Sequence, residues 1–146
     1  MTTIAWDGET VAADKQSSQG DIKWFKEKKL FRFGDVVATY AGREDYGNRF
    51  LAWVQDGMDP EGFPDFPAKD DAFDLVGLVF KEDRVLEFCD NGTAAPRPKP
   101  FAWGSGAKLA LGALLAGKSP KDAVRIASQH DLYSGGGVQS MAVKKS

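Results

Sequence analysis

The chain has 146 residues, of which 42% are hydrophobic and 27% are charged, and its formal net charge is −2. This length and composition are those of a globular protein, so we expect a single domain over residues 1–146. The small negative charge gives no electrostatic attraction to a nucleic-acid backbone or to an anionic membrane, and we expect neither as a partner. A single cysteine, Cys89, excludes an internal disulfide and a cysteine-rich zinc site.

Two features of the sequence bear on where the protein resides. No apolar run approaches the roughly 20 residues that cross a bilayer. Asp7, Glu9 and Asp14 interrupt the N-terminal sequence, which is therefore unlike a signal peptide. We expect a cytoplasmic protein.

The N-terminal half predicts two β-hairpins and one helix. Asp7-Gly8 and Gly34-Asp35 are turn signals, and strand-like segments flank them at residues 3–6 and 10–13 and at residues 29–33 and 36–40. A helix follows, because apolar residues recur at helical spacing, at Tyr46, Phe50, Trp53 and Val54. Gly57 ends this helix, and three prolines within residues 57–71 predict a loop.

The C-terminal half predicts a third hairpin, two helices and a last strand. In chain order we expect strands at residues 73–80 and 85–89, a proline-rich loop at 94–100, a short strand at 101–103, a helix after Gly106, a helix that starts at Ser119-Pro120, and a strand at 138–143. Sets of consecutive strands with helices between the sets favour an α+β fold with mostly antiparallel sheets.

The residues of the common catalytic sites are scarce. His130 is the only histidine, so a Ser-His-Asp or Cys-His site would have to use it, and its place at the end of an amphipathic helix favours a capping role equally. A zinc site built on two histidines is impossible. The segment from Gly104 to Lys108 lacks the spacing of a phosphate loop and the third glycine of a dinucleotide motif. We expect no metal and no cofactor.

Thr2 supplies a nucleophile that needs no histidine. Once Met1 is removed, the α-amine of Thr2, with a pKa of about 8, is a general base on the same residue as the hydroxyl. Such a site also needs a cation beside the amine, an acid to hold that cation, and a backbone N–H for the oxyanion. Lys29, Asp14 and Gly42 lie at suitable places in successive hairpins.

Each of these residues also has a plain structural interpretation. A threonine suits the start of a strand, an aspartate a turn, and a glycine the end of a strand, while a lysine among other lysines suits a solvated surface. The residues alone leave both interpretations open.

Six segments, in order along the chain, resemble the proteasome β-subunit family, which includes the bacterial HslV-type peptidases. They are Thr2-Thr3-Ile4, Val11-Ala12-Ala13-Asp14, Lys28 to Phe33, Tyr40-Ala41-Gly42, Gly104-Ser105-Gly106 and Asp131-Leu132-Tyr133-Ser134-Gly135-Gly136. The resemblance covers essentially the whole chain, and the joint occurrence of the segments is more specific than any one of them.

The resemblance implies a four-layer αββα sandwich of the N-terminal-nucleophile hydrolase type, with two antiparallel sheets between helical layers. It implies a threonine peptidase in which Thr2 attacks the peptide carbonyl and Lys29, held by Asp14, tunes the amine. The Gly42 N–H would stabilise the oxyanion.

The same resemblance implies supporting residues and partners. Ser105, Asp131 and Ser134 would orient the α-amine. The implied partners are a polypeptide substrate, further copies of the chain in a stacked hexameric or heptameric ring, and an ATP-dependent unfoldase.

Two other functions stay open from the sequence. The same fold could act as an amidase on a small amide, or as a non-catalytic subunit that retains Met1 and assembles with an active relative. The presence of the supporting residues argues against the second of these, since an inactive subunit does not need them.

Overall fold

The computed structural model describes residues 2–66 and 75–144. The strands, in chain order, are β1 (Thr3–Trp6), β2 (Thr10–Asp14), β3 (Gln16–Gln19), β4 (Ile22–Phe25), β5 (Phe31–Phe33), β6 (Val36–Gly42), β7 (Leu75–Lys81), β8 (Arg84–Cys89), β9 (Ala94–Pro96), β10 (Phe101–Gly104) and β11 (Val138–Ala142). The helices are α1 (Glu44–Gln55), α2 (Ala107–Leu115) and α3 (Pro120–Ala127), and a 3₁₀ turn covers Pro60–Gly62.

The strands form two antiparallel sheets and a separate hairpin. One sheet has four strands in the order β10-β1-β2-β11, and the other has five in the order β5-β6-β7-β8-β9. Strands β3 and β4 make the two-stranded hairpin. Because β1 pairs with β2 and with β10, the start of the chain lies in the middle of the four-stranded sheet.

The alternation of side chains along each strand explains the layers. In β1, Ile4 and Trp6 face the other sheet, whereas Ala5 faces the helices α2 and α3. In β7, Leu78 faces the four-stranded sheet and Val79 faces α1. Both faces of central strands such as β1 and β7 are thus covered, so nearly all their residues are buried. The order of layers is helix, sheet, sheet, helices, and the predicted α+β, four-layer αββα sandwich is confirmed.

The two helical layers pack differently because their contact residues differ in size. Helix α1 lies on the five-stranded sheet through large aromatic side chains such as Phe50 and Trp53. Helices α2 and α3 lie on a surface of alanines, from Ala5, Ala12 and Ala102. Small side chains on the sheet let the helix backbones come close to it. Ser119 caps α3 as predicted, with its Oγ accepting from Asp122 N at 3.2 Å.

Three differences from the predicted elements stand out. The hairpin β3–β4 was not expected, since Gln16–Gln19 is polar and all four residues of β4 are exposed, so no buried face imposes an alternation. Part of the proline-rich segment at 94–100 forms the edge strand β9, a place where proline does not interrupt a ladder. Lys29 precedes β5 rather than starting a strand. Residues 73–74 of the predicted third hairpin and 67–71 of the predicted loop lie outside the described residues.

Candidate active site

The first hairpin brings Thr2 and Asp14 together. Thr2 directly precedes β1, and Asp14 is the last residue of β2, its neighbour in the sheet. The antiparallel register pairs Ile4 with Ala13, which sets the two residues side by side at the open end of the hairpin. Thr2 is 4% exposed and Asp14 is fully buried. Their polar groups therefore need partners within the protein.

Thr2, Asp14 and Lys29 form a closed triangle of hydrogen bonds. The Thr2 hydroxyl donates to Asp14 Oδ1 at 2.7 Å. The Lys29 ammonium donates to the same Oδ1 at 2.9 Å and to Thr2 Oγ1, also at 2.9 Å. A cation thus touches the one hydroxyl that the sequence singled out as a nucleophile.

Burial sets the protonation of this lysine. Loss of water around the ammonium lowers the pKa of Lys29 below its ordinary value, although Asp14 acts in the opposite direction by attraction and by accepting a hydrogen bond. Lys26 adds repulsion that also lowers it, and Asp131 adds a weaker attraction. Lys29 consequently gives up its proton more readily than a surface lysine.

Asp14 accepts an unusually complete set of hydrogen bonds. In the described part of the chain its donors are the Thr2 hydroxyl, the Lys29 ammonium, and the backbone N–H groups of Thr3, Gln16 and Gly135. These donors satisfy the oxygens of a carboxyl group that water does not reach. The side chain therefore ties the segments at Lys29 and Gly135 to the N-terminus.

A second cluster surrounds Asp131, in the loop between α3 and β11. Its Oδ2 accepts from Ser105 Oγ at 2.6 Å, from Thr3 Oγ1 at 3.5 Å, and from Ser134 Oγ. Thr3 Oγ1 and Ser134 Oγ are also 2.6 Å apart. Partial burial opposes ionisation of this carboxyl, but the bonds from Ser105 and Ser134 outweigh it and lower the pKa of Asp131. The cluster is an ionised acid held by hydroxyl groups.

Strand β10 pairs with β1 and so places Ser105, the residue after β10, next to the start of the chain. Ser105 Oγ lies 3.3 Å from the Thr2 carbonyl oxygen, as a donor. Gly104 pairs with Thr3 and has φ +94°, and a Cβ placed on it would lie 1.9 Å from the same carbonyl oxygen. Only a glycine lets the backbone come this close to Thr2.

Gly42 ends β6 and lines a small cavity of about 80 Å³ together with Thr2 and Lys29. Its φ of +114° is a conformation that suits glycine. The far wall of the cavity is polar: Lys26 forms an ion pair with Glu44 beside the half-buried Tyr40. Burial raises the pKa of Tyr40. A bound group would therefore meet Thr2, the backbone at Gly42 and a charged wall.

The structure brings the seven predicted site residues to one end of the sandwich. Six of them form two linked groups, and the seventh, Gly42, is the last residue of β6. Thr2, Asp14 and Lys29 are in direct contact, and Gly42 lines the same cavity as Thr2. In the other group, Ser105 and Ser134 donate to Asp131. This second group is hydrogen-bonded to the Thr2 carbonyl, through Ser105, and to the Thr3 hydroxyl, through Ser134 and Asp131. His130 is exposed and belongs to neither group.

Thr3 was missed as a site residue. It is fully buried, and it joins the two clusters because its N–H donates to Asp14 while its hydroxyl contacts Ser134. The doubled threonine at the start of the sequence was the available signal. Within residues 2–66 and 75–144, no group of three or more potential ligands among His, Cys, Asp and Glu could hold a metal ion. No helix in those ranges is both long and apolar enough to span a membrane.

The arrangement supports nucleophilic chemistry at Thr2. A cation beside the hydroxyl favours the alkoxide, and the backbone at Gly42 faces the cavity in which a substrate carbonyl would have to lie. The cation is itself held by a buried carboxylate. The chain thus has the groups for acyl transfer without a histidine.

Known structures share this fold over the full length of the chain. A structure of BPH from Thiobacillus denitrificans in complex with epoxomicin matches with a TM-score of 0.70 and 21% identity over 100% of both chains. A second BPH structure from that organism gives a TM-score of 0.69 and 21% identity, covering 99% of this chain and 98% of the other. Eukaryotic HslV from Trypanosoma brucei gives 0.69 and 19%, covering 99% of each.

In comparisons of sequence, no family model and no curated protein matches the chain. At identities of 19–21%, the structural likeness speaks for the fold. The resemblance to HslV-type proteins expected from the sequence motifs is confirmed at that level. The chain has the fold of HslV and of BPH.

Proposed function

We propose that this protein is a threonine-type endopeptidase, a subunit of a ring-shaped protease that encloses its active sites. Its nucleophile is Thr2 after removal of Met1. One observation carries the proposal: Thr2 Oγ1 lies 2.9 Å from the Lys29 ammonium and 2.7 Å from the Asp14 carboxylate, on a cavity that Gly42 also lines. A buried threonine that only starts a strand needs no such cation.

In the acylation step, Thr2 Oγ1 attacks the carbonyl carbon of the peptide, and the hydroxyl proton passes to the α-amine of Thr2. The carbonyl oxygen becomes an oxyanion and accepts a hydrogen bond from the Gly42 N–H. The tetrahedral intermediate then loses its amine, which takes the proton back. A water molecule, deprotonated by the same α-amine, hydrolyses the Thr2 ester and restores the hydroxyl.

Lys29 and Asp14 make this base effective. A positive charge beside the α-amine disfavours its protonation, so more of the amine is neutral near pH 7. The same charge stabilises the alkoxide that forms at Oγ1. Asp14 holds the ammonium at the hydroxyl and keeps it from solvent.

Ser105, Asp131 and Ser134 position the start of the chain. Their hydrogen bonds reach the Thr2 carbonyl and the Thr3 hydroxyl, on either side of the peptide bond that follows Thr2. A fixed peptide bond at this point limits the directions that the α-amine can take. This is how the three residues would orient the general base.

The quaternary proposal is a single domain over residues 1–146 that assembles into a stacked homo-oligomeric ring in the cytoplasm, with an ATP-dependent unfoldase as a possible partner. Its support is the shared fold together with exposed apolar side chains. These include Ile22, Phe25, Leu115 and Leu132, with exposures of 70%, 58%, 70% and 83%. Apolar groups of this size suit contacts between copies of the chain.

The intact mass of the purified protein, with and without epoxomicin, tests the nucleophile. We expect the loss of one methionine and the gain of one epoxomicin per chain. Thr2→Ala should give no adduct and no peptide cleavage, while its elution volume on size exclusion stays that of the unmodified chain. Thr93→Ala, an exposed threonine, is the matched control and should react fully.

The amidase and structural-subunit alternatives each predict a different result in these mass and cleavage assays. Turnover of a small amide without cleavage of an unfolded protein would favour an amidase. A retained Met1 with no adduct would favour a structural subunit. Cleavage by Thr2→Ala at the unmodified rate would contradict the mechanism.

A further inference from the structure

Lys29 lies in a segment without regular secondary structure, between β4 and β5. Residues 26–30 belong to no strand, although the Leu30 side chain is buried in the core between the sheets. Buried backbone groups outside a ladder have to find other hydrogen-bond partners. The position of the Lys29 ammonium therefore depends on what holds this segment.

Two side chains supply those partners. Gln139 Oε1 accepts from Lys29 N at 2.8 Å and from Leu30 N at 3.0 Å, and Gln139 Nε2 donates to the Leu30 carbonyl at 3.0 Å. Thr39 Oγ1 donates to the Lys29 carbonyl at 2.6 Å. Every backbone N–H and carbonyl of Lys29 and Leu30 is thus engaged by Gln139 or Thr39.

The three bonds of Gln139 fix the orientation of its amide. Two N–H groups face its oxygen and one carbonyl faces its nitrogen. Rotating the amide by half a turn would place its NH₂ group against the two N–H donors and its oxygen against the carbonyl. The side chain acts as a short piece of strand backbone. It pairs with residues 29 and 30, which lie in no strand.

The location of Gln139 ties Lys29 to Asp14. Gln139 lies on β11, an edge strand of the four-stranded sheet, while β5 is an edge strand of the other sheet. On β11, Gln139 pairs with Ala13 and its neighbour Val138 pairs with Asp14. One amide therefore links the backbone at Lys29 to β11, the strand that pairs with the Asp14 strand β2.

We propose that Gln139 is a positioning residue, which holds the Lys29 ammonium against Thr2 and Asp14 by pairing with the backbone of residues 29 and 30. The inference rests on the proposed role of Lys29 in acylation. Arg32 continues the link further along the same edges, since its guanidinium donates to the carbonyls of Ala142 and Val143. Gln139 is the member of this link that reaches the site.

Gln139→Met is the main test, because methionine has a similar length and no amide. We expect the rate of Thr2 modification by epoxomicin and the kcat for a fluorogenic peptide to fall about tenfold to a hundredfold, with KM within about twofold, as for a displaced catalytic group. Gln129→Met makes the same replacement at an exposed residue after α3 and should leave both rates unchanged.

A second readout follows Lys29 itself. The reaction of each lysine with acetic anhydride is measured as a function of pH by peptide mass spectrometry. In Gln139→Met the segment is released toward solvent, and the pKa of Lys29 should rise toward its ordinary value of 10.5. The other charges that act on Lys29 come from Asp14, Lys26 and Asp131, and the substitution leaves all three in place.

Gln139→Glu covers the case in which Gln139→Met does not fold. Its carboxylate can accept from both N–H groups but has no donor for the Leu30 carbonyl. We expect a smaller loss of kcat than with methionine, together with a higher pKa of Lys29 because a negative charge is added nearby.

The outcomes separate this proposal from the proposed function. If the unmodified protein neither reacts with epoxomicin nor cleaves peptide, the peptidase proposal fails, and the Lys29 titration in the variants still decides the role of Gln139. If Gln139→Met lowers the free energy of unfolding while leaving kcat and the Lys29 titration unchanged, Gln139 is structural and the inference is wrong.

Discussion

The ion pair beside Thr2 and two ion pairs at the opposite end of the β-sandwich are buried to very different extents. At the end that carries Thr2, the side chains of Asp14 and Lys29 are 0% and 11% exposed. At the opposite end, where the hairpin turns lie, Lys81 pairs with Asp35 and Lys99 pairs with Asp83, and all four side chains are more than half exposed. The same two types of charge therefore meet in two different dielectric environments.

The difference in burial decides how much each ion pair contributes to the free energy of folding. An exposed pair contributes about 0–1 kcal/mol, because water screens the charges and the side chains lose entropy. A buried pair loses hydration that its mutual attraction barely offsets, so it is weak evidence for a structural role. The proposed chemistry at the Thr2 hydroxyl, which both members contact, would account for such a pair at this end.

The largest expected effect comes from breaking the buried pair. Asp14→Ala leaves the Lys29 ammonium and several N–H donors without their acceptor, and we expect the free energy of unfolding to fall by about 3–5 kcal/mol. Peptide cleavage should fall below detection. Urea denaturation and the peptidase assay measure the two effects, and a loss below 1 kcal/mol would show that the comparison between the two ends is wrong.

Lys29 should give the buried end its own dependence on pH. Burial lowers the pKa of Lys29 in the folded chain, so between that pKa and 10.5 the unfolded chain binds more protons than the folded one. The free energy of unfolding should therefore rise with pH through that window. Denaturation at pH 7 to 10.5 should show the rise in the unmodified protein relative to Lys29→Met, and equal slopes would contradict it.

Loss of the Asp131 charge should have a smaller effect on stability, and that effect should disappear at low pH. Asp131→Asn keeps the shape but loses the charge that accepts from Ser105 and Ser134, and we expect a cost of about 1–3 kcal/mol. Because the pKa of Asp131 lies below its ordinary value of 3.8, its contribution is present above that pH and is lost as the pH falls through the folded pKa. Acid denaturation of the two proteins measures this, and parallel curves would exclude it.

The exposed end should be nearly insensitive to the same kind of change. Asp83→Asn removes the charge that pairs with Lys99, and we expect almost no change in stability, since both side chains lie in water. Peptide cleavage should stay at the unmodified rate. A change as large as that of Asp14→Ala would remove the distinction between the two ends.

The sequence predicts the parts of this molecule that depend on local pattern. Turn signals such as Asp7-Gly8 gave the hairpins, helical spacing gave α1, and motif order led to Thr2, Asp14 and Lys29. The hairpin β3–β4 escaped because its strands have no buried face to impose an alternation. Thr3 and Gln139 escaped because their roles arise where separate segments meet, and a glutamine on an edge strand has no local pattern that reveals its partners.

The close approach of Gly104 to Thr2 has a consequence for how freely the sequence can change. A methyl group at 104 would overlap a backbone carbonyl, which cannot rotate away. A methyl group at Gly112 in α2 would meet no atom of the described residues within 4 Å beyond its chain neighbours and the backbone of its own helix. In a library that samples all twenty residues at both positions, functional clones should keep glycine at 104. At 112 they should accept alanine, which favours the helix by about 0.5–1 kcal/mol.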